Sequence, residues 1–342
     1  MPTSQSKSVS KASSTATDTA KSSPGGAAIS IRGLRKQFGR NPVLQGVDMV
    51  VPEGATFAFL GVNGAGKSTT IRSLLGLMRP DSGETRVLGL DPASQGIEVR
   101  QAVGYLAEDQ VMFGWMTVDQ TLRFVRPFFP TWNPTLADEL VSRFDLPRKT
   151  KVKHLSRGQR VRLGLLLAMA HEPRLFILDD PTLGLDPIMR KQLLRDVVSY
   201  LQGGGVTVFF SSHLLYEIEP VADIVAILDR GKVVRQAATE TMREDVKRVI
   251  VRGGESGGDG DSSAGVGKYV WEGLAGSLLD LQRTARETVM VIDGGDAAAV
   301  SLRARGLDVV VEGLNLDEIF EAYVVGRKEV DHVEATDLET VA

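Results

Sequence analysis

No cysteine occurs among the 342 residues, which excludes disulfides, Cys-ligated zinc and thiol chemistry together. A chain without disulfides suits a reducing compartment. Nowhere do 18 apolar residues run together, so no stretch reads as a membrane-spanning helix. Charge of one sign is equally scarce. Forty Lys and Arg stand against 43 Asp and Glu, and the net charge of −3 gives no electrostatic footprint for nucleic acid or anionic lipid. Large apolar side chains are missing from residues 1–28 except Met1 and Val9, so this stretch is expected to be a disordered tail. It has no apolar segment of a secretory signal, and no arginine or amphipathic period of a transit peptide. The remainder, 42% hydrophobic and 24% charged over the whole chain, has the balance of an ordinary soluble protein. Its length suggests about two domains.

What is present centres on Gly61–Thr69, GVNGAGKST. The apolar run Thr56–Leu60 before it reads as a buried strand. Ile71, Leu74, Leu75 and Met78 after it have the spacing of a helix face. Strand, glycine-rich loop and helix give a G-x-x-x-x-G-K-[ST] match its mechanism. Without a Cβ at Gly61, Gly64 and Gly66 the backbone can turn successive N–H groups inward, and the helix N-terminus adds partial positive charge. Asn63 and Ala65 complete the curl. Lys67 is placed for the β- and γ-phosphates, Ser68 for Mg²⁺, and Thr69 for the phosphates beside it.

Two strand-like segments, Ile29–Phe38 and Val43–Val51, precede this motif around a turn at Gly39–Pro42. Phe38, a lone aromatic at a strand end, reads on its own as core. Beyond the motif, Val103–Leu106, Leu175–Leu178, Val206–Phe210 and Ile224–Leu228 are apolar runs without alternation, separated by helical stretches. Such strands belong to a parallel sheet covered on both faces, which binds ligands at the strands' carboxyl ends. The glycine-rich loop, Asp179 and His213 all fall at such ends. Residues from about Val118 to Leu146 are helical in pattern and interrupted by Pro127, Pro130 and Pro134. Ser156 is placed to cap a helix whose residues Val161–Ala170 are apolar nearly all round. After Gly231 the pattern weakens. Lys247–Arg252 and Thr288–Ile292 read as strands and Leu316–Val325 as a helix.

The order of these motifs resembles the ATP-binding subunit of ABC transporters over residues 29–240. Gly61–Thr69 resembles Walker A, Leu106–Asp109 (LAED) the Q-loop and Leu155–Gln159 (LSRGQ) the signature. Leu175–Asp180 (LFILDD) resembles Walker B, Thr182–Asp186 (TLGLD) the D-loop and Ser211–His213 the switch-histidine strand. The late segment Asn315–Phe320 adds a likeness to subunits of ABC-2-type exporters. The fold implied is α/β: a P-loop NTPase with a parallel sheet core, an N-terminal antiparallel β element and a helical insertion at about 110–170. A small C-terminal α/β appendix at 245–326 and an acidic tail at 327–342 follow. The activity implied is ATP hydrolysis coupled to transport, with ATP and Mg²⁺ bound.

The resemblance assigns catalytic roles to Asp180, His213 and Lys67, and metal roles to Ser68, Asp179 and Glu108. Phe38 would stack on adenine. Ser156, Gly158, Gln159 and Asp186 would meet nucleotide held by a second ATP-binding subunit, identical or related. The pair would sit on the inner face of the cell membrane against a separate transmembrane permease, without spanning the membrane itself. Two other readings belong beside this one: a soluble ABC-type ATPase switch without transport, and a weakly hydrolysing regulatory subunit.

Three positions depart from the family pattern. Asp180 stands where Glu is usual, one methylene shorter, so turnover is expected to be slow unless the backbone compensates. Glu108 replaces Gln and adds negative charge near the phosphates. Arg157 replaces the first signature glycine, and either reaches phosphate across the dimer or is simply solvated. The aromatic-rich stretch Phe113–Pro134 also has two readings, a docking patch for the permease or the insertion's own small core.

Overall fold

A computed structural model of the chain describes residues 26–180, 204–212, 219–252, 273–284 and 287–326. Strands β1 (Ala27–Phe38) and β2 (Asn41–Pro52) form an antiparallel hairpin. Strand β3 (Thr56–Leu60) then runs into the glycine loop and helix α1 (Lys67–Leu74). Strand β4 (Ser82–Val87) returns to β1, giving a three-stranded sheet in the order β2-β1-β4. After α2 (Gly96–Ala102) comes β5 (Val103–Leu106). The insertion carries α3 (Val118–Val125), α4 (Pro134–Arg143) and α5 (Arg157–Met169). Pro134 opens α4 rather than interrupting a helix, because at the first helical position its missing N–H costs nothing.

The central sheet is completed by β6 (Leu175–Asp179), β7 (Thr207–Ser212), β8 (Ile224–Asp229) and β9 (Lys232–Ala238). Its order is β5-β6-β7-β3-β8-β9, with all neighbours parallel except the antiparallel edge β9. Every residue of β3, β6 and β7 is buried. Alternate side chains feed two separate cores. Phe57, Phe59 and Ile177 pack with β1, β2 and α1, while Ala58, Leu60 and Phe176 pack with α5. A strand covered on both faces has no polar face, which is why these runs show no alternation.

Helix α6 (Thr239–Asp245) leads into an antiparallel sheet of β10 (Val246–Arg252), β11 (Ser277–Arg283), β12 (Glu287–Asp293) and β13 (Asp308–Gly313), ordered β11-β12-β10-β13. Helix α7 (Gly295–Ala304) covers one face through Ala298, Ala299 and Leu302. Helix α8 (Leu316–Glu321), extended by a π turn over Ala322–Gly326, lies on the other. There Ile319 and Tyr323 share one apolar cluster with Val225 and Ile227 of β8 and Met242 of α6. The Tyr323 hydroxyl donates to Asp293 Oδ2 at 2.5 Å, and Arg235 of β9 pairs with Asp245 at 2.5 Å. Strands β9, β11 and β13 and helices α6 and α7 are additions to the elements expected from sequence. A bulge between Leu278 and Asp280 breaks the alternation of β11, and α7 packs mostly through alanine.

Candidate functional site

The loop after β3 has the backbone that its glycines permit. Gly64 and Gly66 lie at φ 83° and 113°, in the left-handed region. A Cβ on Gly66 would stand 2.6 Å from Leu44 Cδ2, and one on Gly61 2.7 Å from the Leu228 carbonyl. Gly66 ends the loop as the N-cap of α1 with no side chain capping it, so the opening turn of that helix offers bare backbone amides. Asn63 is exposed on the rim and Ala65 is buried beneath it. Lys67 is buried, and its Nζ donates to the Gly61 carbonyl at 2.6 Å and to that of Val62 at 3.4 Å. Burial draws its pKa down, against the pull of Asp180, Asp179 and Glu108.

Those three carboxylates converge on Lys67 from two strand ends. Asp179 closes β6, and its Oδ1 accepts from Ser211 Oγ of β7 at 2.6 Å. Burial raises its pKa; hydrogen bonding from Ser211 opposes the rise, Asp180 adds to it, and Ser68 again opposes it. Asp180 is also buried, at φ 47°, with its amide donating to the Ser211 carbonyl at 3.1 Å. Glu108, two residues past β5, has its pKa raised by burial and then by Asp180 and Asp179. Among the described residues no group of three or more His, Cys, Asp or Glu is arranged to hold a metal alone. One hydroxyl, Ser68, beside one carboxylate, Asp179, would suit an ion that takes most of its ligands from water and phosphate, as Mg²⁺ does.

Two neighbours of this centre had no role assigned to them from the sequence. Ser211 meets Asp179 because β6 and β7 pair in parallel with these two residues opposite each other. The Tyr105 hydroxyl of β5 is pushed up to about 12, by burial and then by Asp179. Only strand order reveals either one.

The signature segment forms a separate helix end. Ser156 Oγ accepts from the Gln159 amide at 3.2 Å and Gln159 Oε1 accepts from the Ser156 amide at 3.0 Å, a complete capping box at the start of α5. Gly158 and Gln159 are half-buried, while Ser156 and Arg157 are exposed. Phe38 is no core residue. Half of it faces solvent at the end of β1, with Lys36 Nζ 5.6 Å from its ring centroid. Asp186 and His213, with the whole Thr182–Asp186 stretch, lie outside the described residues. A cavity of about 610 Å³ lies at the opposite, amino-terminal end of β6 and β7, lined by Glu53, Arg174 and Thr207, and takes no part in this centre.

Comparison with known proteins agrees with this geometry. The sequence profile of the family described as "ABC transporter" matches residues 44–183. The bacitracin transport ATP-binding protein BcrA of Bacillus licheniformis is 34% identical over 219 residues, covering 64% of this chain and 72% of its own length. The chain belongs to the ATP-binding proteins of ABC transporters. The daunorubicin resistance ATP-binding protein DrrA3 of Streptomyces coeruleorubidus is 35% identical over 224 residues, covering 64% and 70%. A solved ATP-binding subunit of an ABC transporter superposes with a TM-score of 0.58 at 28% identity, over 64% of this chain and 92% of its own. The dimeric cassette MJ0796, at 20% identity and a TM-score of 0.55, shares the fold. The profile match runs from within β2 to just past β6 and takes in the glycine loop and the signature helix. No helix among the described residues is long and apolar enough to cross a membrane.

Proposed function

We propose that this ABC protein binds and hydrolyses Mg-ATP to drive a membrane exporter, and that two copies, or one copy and a sibling subunit, close on the nucleotide. The convergence of Lys67, Ser68, Asp179, Asp180 and Glu108 at one end of the parallel sheet carries this reading. Backbone amides at Gly64–Lys67 and the Lys67 ammonium receive the phosphates. Mg²⁺ would rest on Ser68 and Asp179, with Glu108 alongside, and would offset negative charge on the phosphate oxygens. Asp180 orients and deprotonates the attacking water, His213 donates a hydrogen bond to the γ-phosphate, and Phe38 stacks on the adenine. The α5 N-terminus with Ser156, Gly158 and Gln159, together with Asp186, faces the nucleotide of the partner subunit.

The outward direction rests on the likeness of Asn315–Phe320 to subunits of ABC-2-type exporters, and relatives named for bacitracin transport and daunorubicin resistance support a transport role. A permease selects the substrate and holds the ATPase at the inner membrane face. The exposed rings of Phe113, Trp115, Phe124 and Phe128 contact one another yet remain 44–63% accessible, and this patch docks on the permease.

The deciding experiment uses Asp180→Asn, chosen to suppress turnover. The variant should sediment as a monomer alone and as a dimer with saturating Mg-ATP. A monomer under both conditions, with no pairing to a sibling subunit, would sink the proposal. The shortened side chain at Asp180 favours one alternative, a weakly hydrolysing regulatory subunit. Steady-state turnover of the wild-type chain separates the two.

A further inference from the structure

We propose that Lys36 and Asp81 are positioning residues for the nucleobase, holding the Phe38 ring with an ammonium over one face so that the base stacks on the other. The inference rests on the reading of Phe38 as the base platform. Phe38 is the last residue of β1, followed by the turn at Gly39 (φ 60°), and half its surface is in solvent. A ring so placed would ordinarily sample several rotamers, and ordering it on binding would weaken affinity. Here the neighbours order it beforehand. Lys36 Nζ lies 5.6 Å from the ring centroid, within range of a cation–π contact. The same ammonium donates to Asp81 Oδ1 at 2.8 Å and to the Arg79 carbonyl at 2.9 Å. The other oxygen of Asp81 accepts the Gln37 amide at 2.7 Å, and the Asp81 amide donates to the Arg35 carbonyl at 2.9 Å.

Asp81 thus grips both the cation over the ring and the backbone just before it. These hydrogen bonds, the one from Lys36 foremost, hold its carboxyl below the usual range. The grip also has a direction. Asp81 lies in the short link from α1 to β4, and α1 begins in the phosphate loop. The clamp therefore ties the base platform to the phosphate cradle through one helix, setting the spacing between them. With Lys36 on one side of the ring, only the opposite face remains for a base. The ligand class is a nucleoside triphosphate whose base stacks on the free face; inorganic triphosphate would engage the cradle without touching the platform.

The test is calorimetric titration of the full chain with Mg-ATP and, separately, with inorganic triphosphate. Phe38→Ala should weaken ATP by about tenfold or more, the scale of one lost base stack. Lys36→Met and Asp81→Asn should each weaken ATP by about three- to tenfold, the scale of one side chain left unordered. Inorganic triphosphate should bind all variants alike, and Lys36→Arg should restore most of the ATP affinity. Adding Lys36→Met to Phe38→Ala should cost nothing more, because Lys36 acts through the ring. If Phe38→Ala weakens ATP while Lys36→Met and Asp81→Asn do not, the clamp is refuted and the platform stands. If Phe38→Ala has no effect, the platform reading falls and the clamp with it. Equal weakening of ATP and inorganic triphosphate in the Lys36 and Asp81 variants would mark general damage to the cradle and also overturn the proposal.

Discussion

Lys67 is one buried ammonium facing three carboxylates, and the balance among them governs behaviour at the residue scale. Glu108 and Asp179 both hold their protons more tightly than they would in an unfolded chain. Groups raised in this way stabilise the fold below the ordinary carboxylate range, and that contribution is lost as pH rises through the raised values. At neutral pH the ionised Glu108 is therefore a liability to the protein without nucleotide. Glu108→Gln should raise its melting temperature by about 1 °C, a change of about 1 kcal/mol or less at this exposed position. The gain should vanish as pH approaches about 4.3, where glutamate protonates. A gain independent of pH would show that charge is not its cause. Asp180 presents a different balance. Its left-handed backbone suits Asp better than Glu, yet reach favours Glu. Asp180→Glu is expected to speed turnover on the order of tenfold. It should cost about 1 kcal/mol of stability at most. Unchanged or slower steady-state hydrolysis would show that Asp180 already reaches its target.

At the scale of elements, the N-terminus of α5 separates capping from ligand binding. Ser156 closes a capping box, so Ser156→Ala should cost about 1 kcal/mol in thermal unfolding and also weaken ATP-induced pairing. Ser156→Asp keeps a good cap but sets a carboxylate against an incoming phosphate. It should retain stability and lose the ATP-dependent dimer in sedimentation. A dimer that survives Ser156→Asp would remove this helix end from the nucleotide interface. The Ser156 cap was readable because it acts on the helix turn directly after it; the answering bond from Gln159 came with the structure. The glycine loop is local in the same way as the cap, its φ angles depending on residues in sequence. Strand β9 was not readable, since its KVVRQAA carries little β-propensity and is held by pairing with β8 and by Gln236 Nε2 donating to the Val50 carbonyl at 2.7 Å.

Across the whole molecule, the C-terminal sheet and the central parallel sheet share apolar contacts instead of meeting through a polar linker alone. Ile319 is fully buried in the cluster that contains Val225 and Ile227 of the central sheet. Ile319→Ala should therefore destabilise the whole chain by about 2–5 kcal/mol, seen as one cooperative transition at lower temperature. Two transitions, only one of them displaced, would show that the sheets unfold independently.

The sequence by itself determined the buried parallel strands and the chemistry of the phosphate loop. Apolar runs and glycine positions act through neighbours along the chain, where hydrophobic burial and backbone freedom are local properties. It also determined family membership, through motifs whose order survives without coordinates. Only the tertiary structure decided that Ser211 serves Asp179, that Tyr105 stands beside them, that Phe38 is exposed beneath a lysine, and that the C-terminal helix seals the central core. Each of these depends on which strands lie side by side and how far the chain returns on itself. Pairings between residues tens of positions apart are set by the packing of the whole sheet, and no local pattern records them.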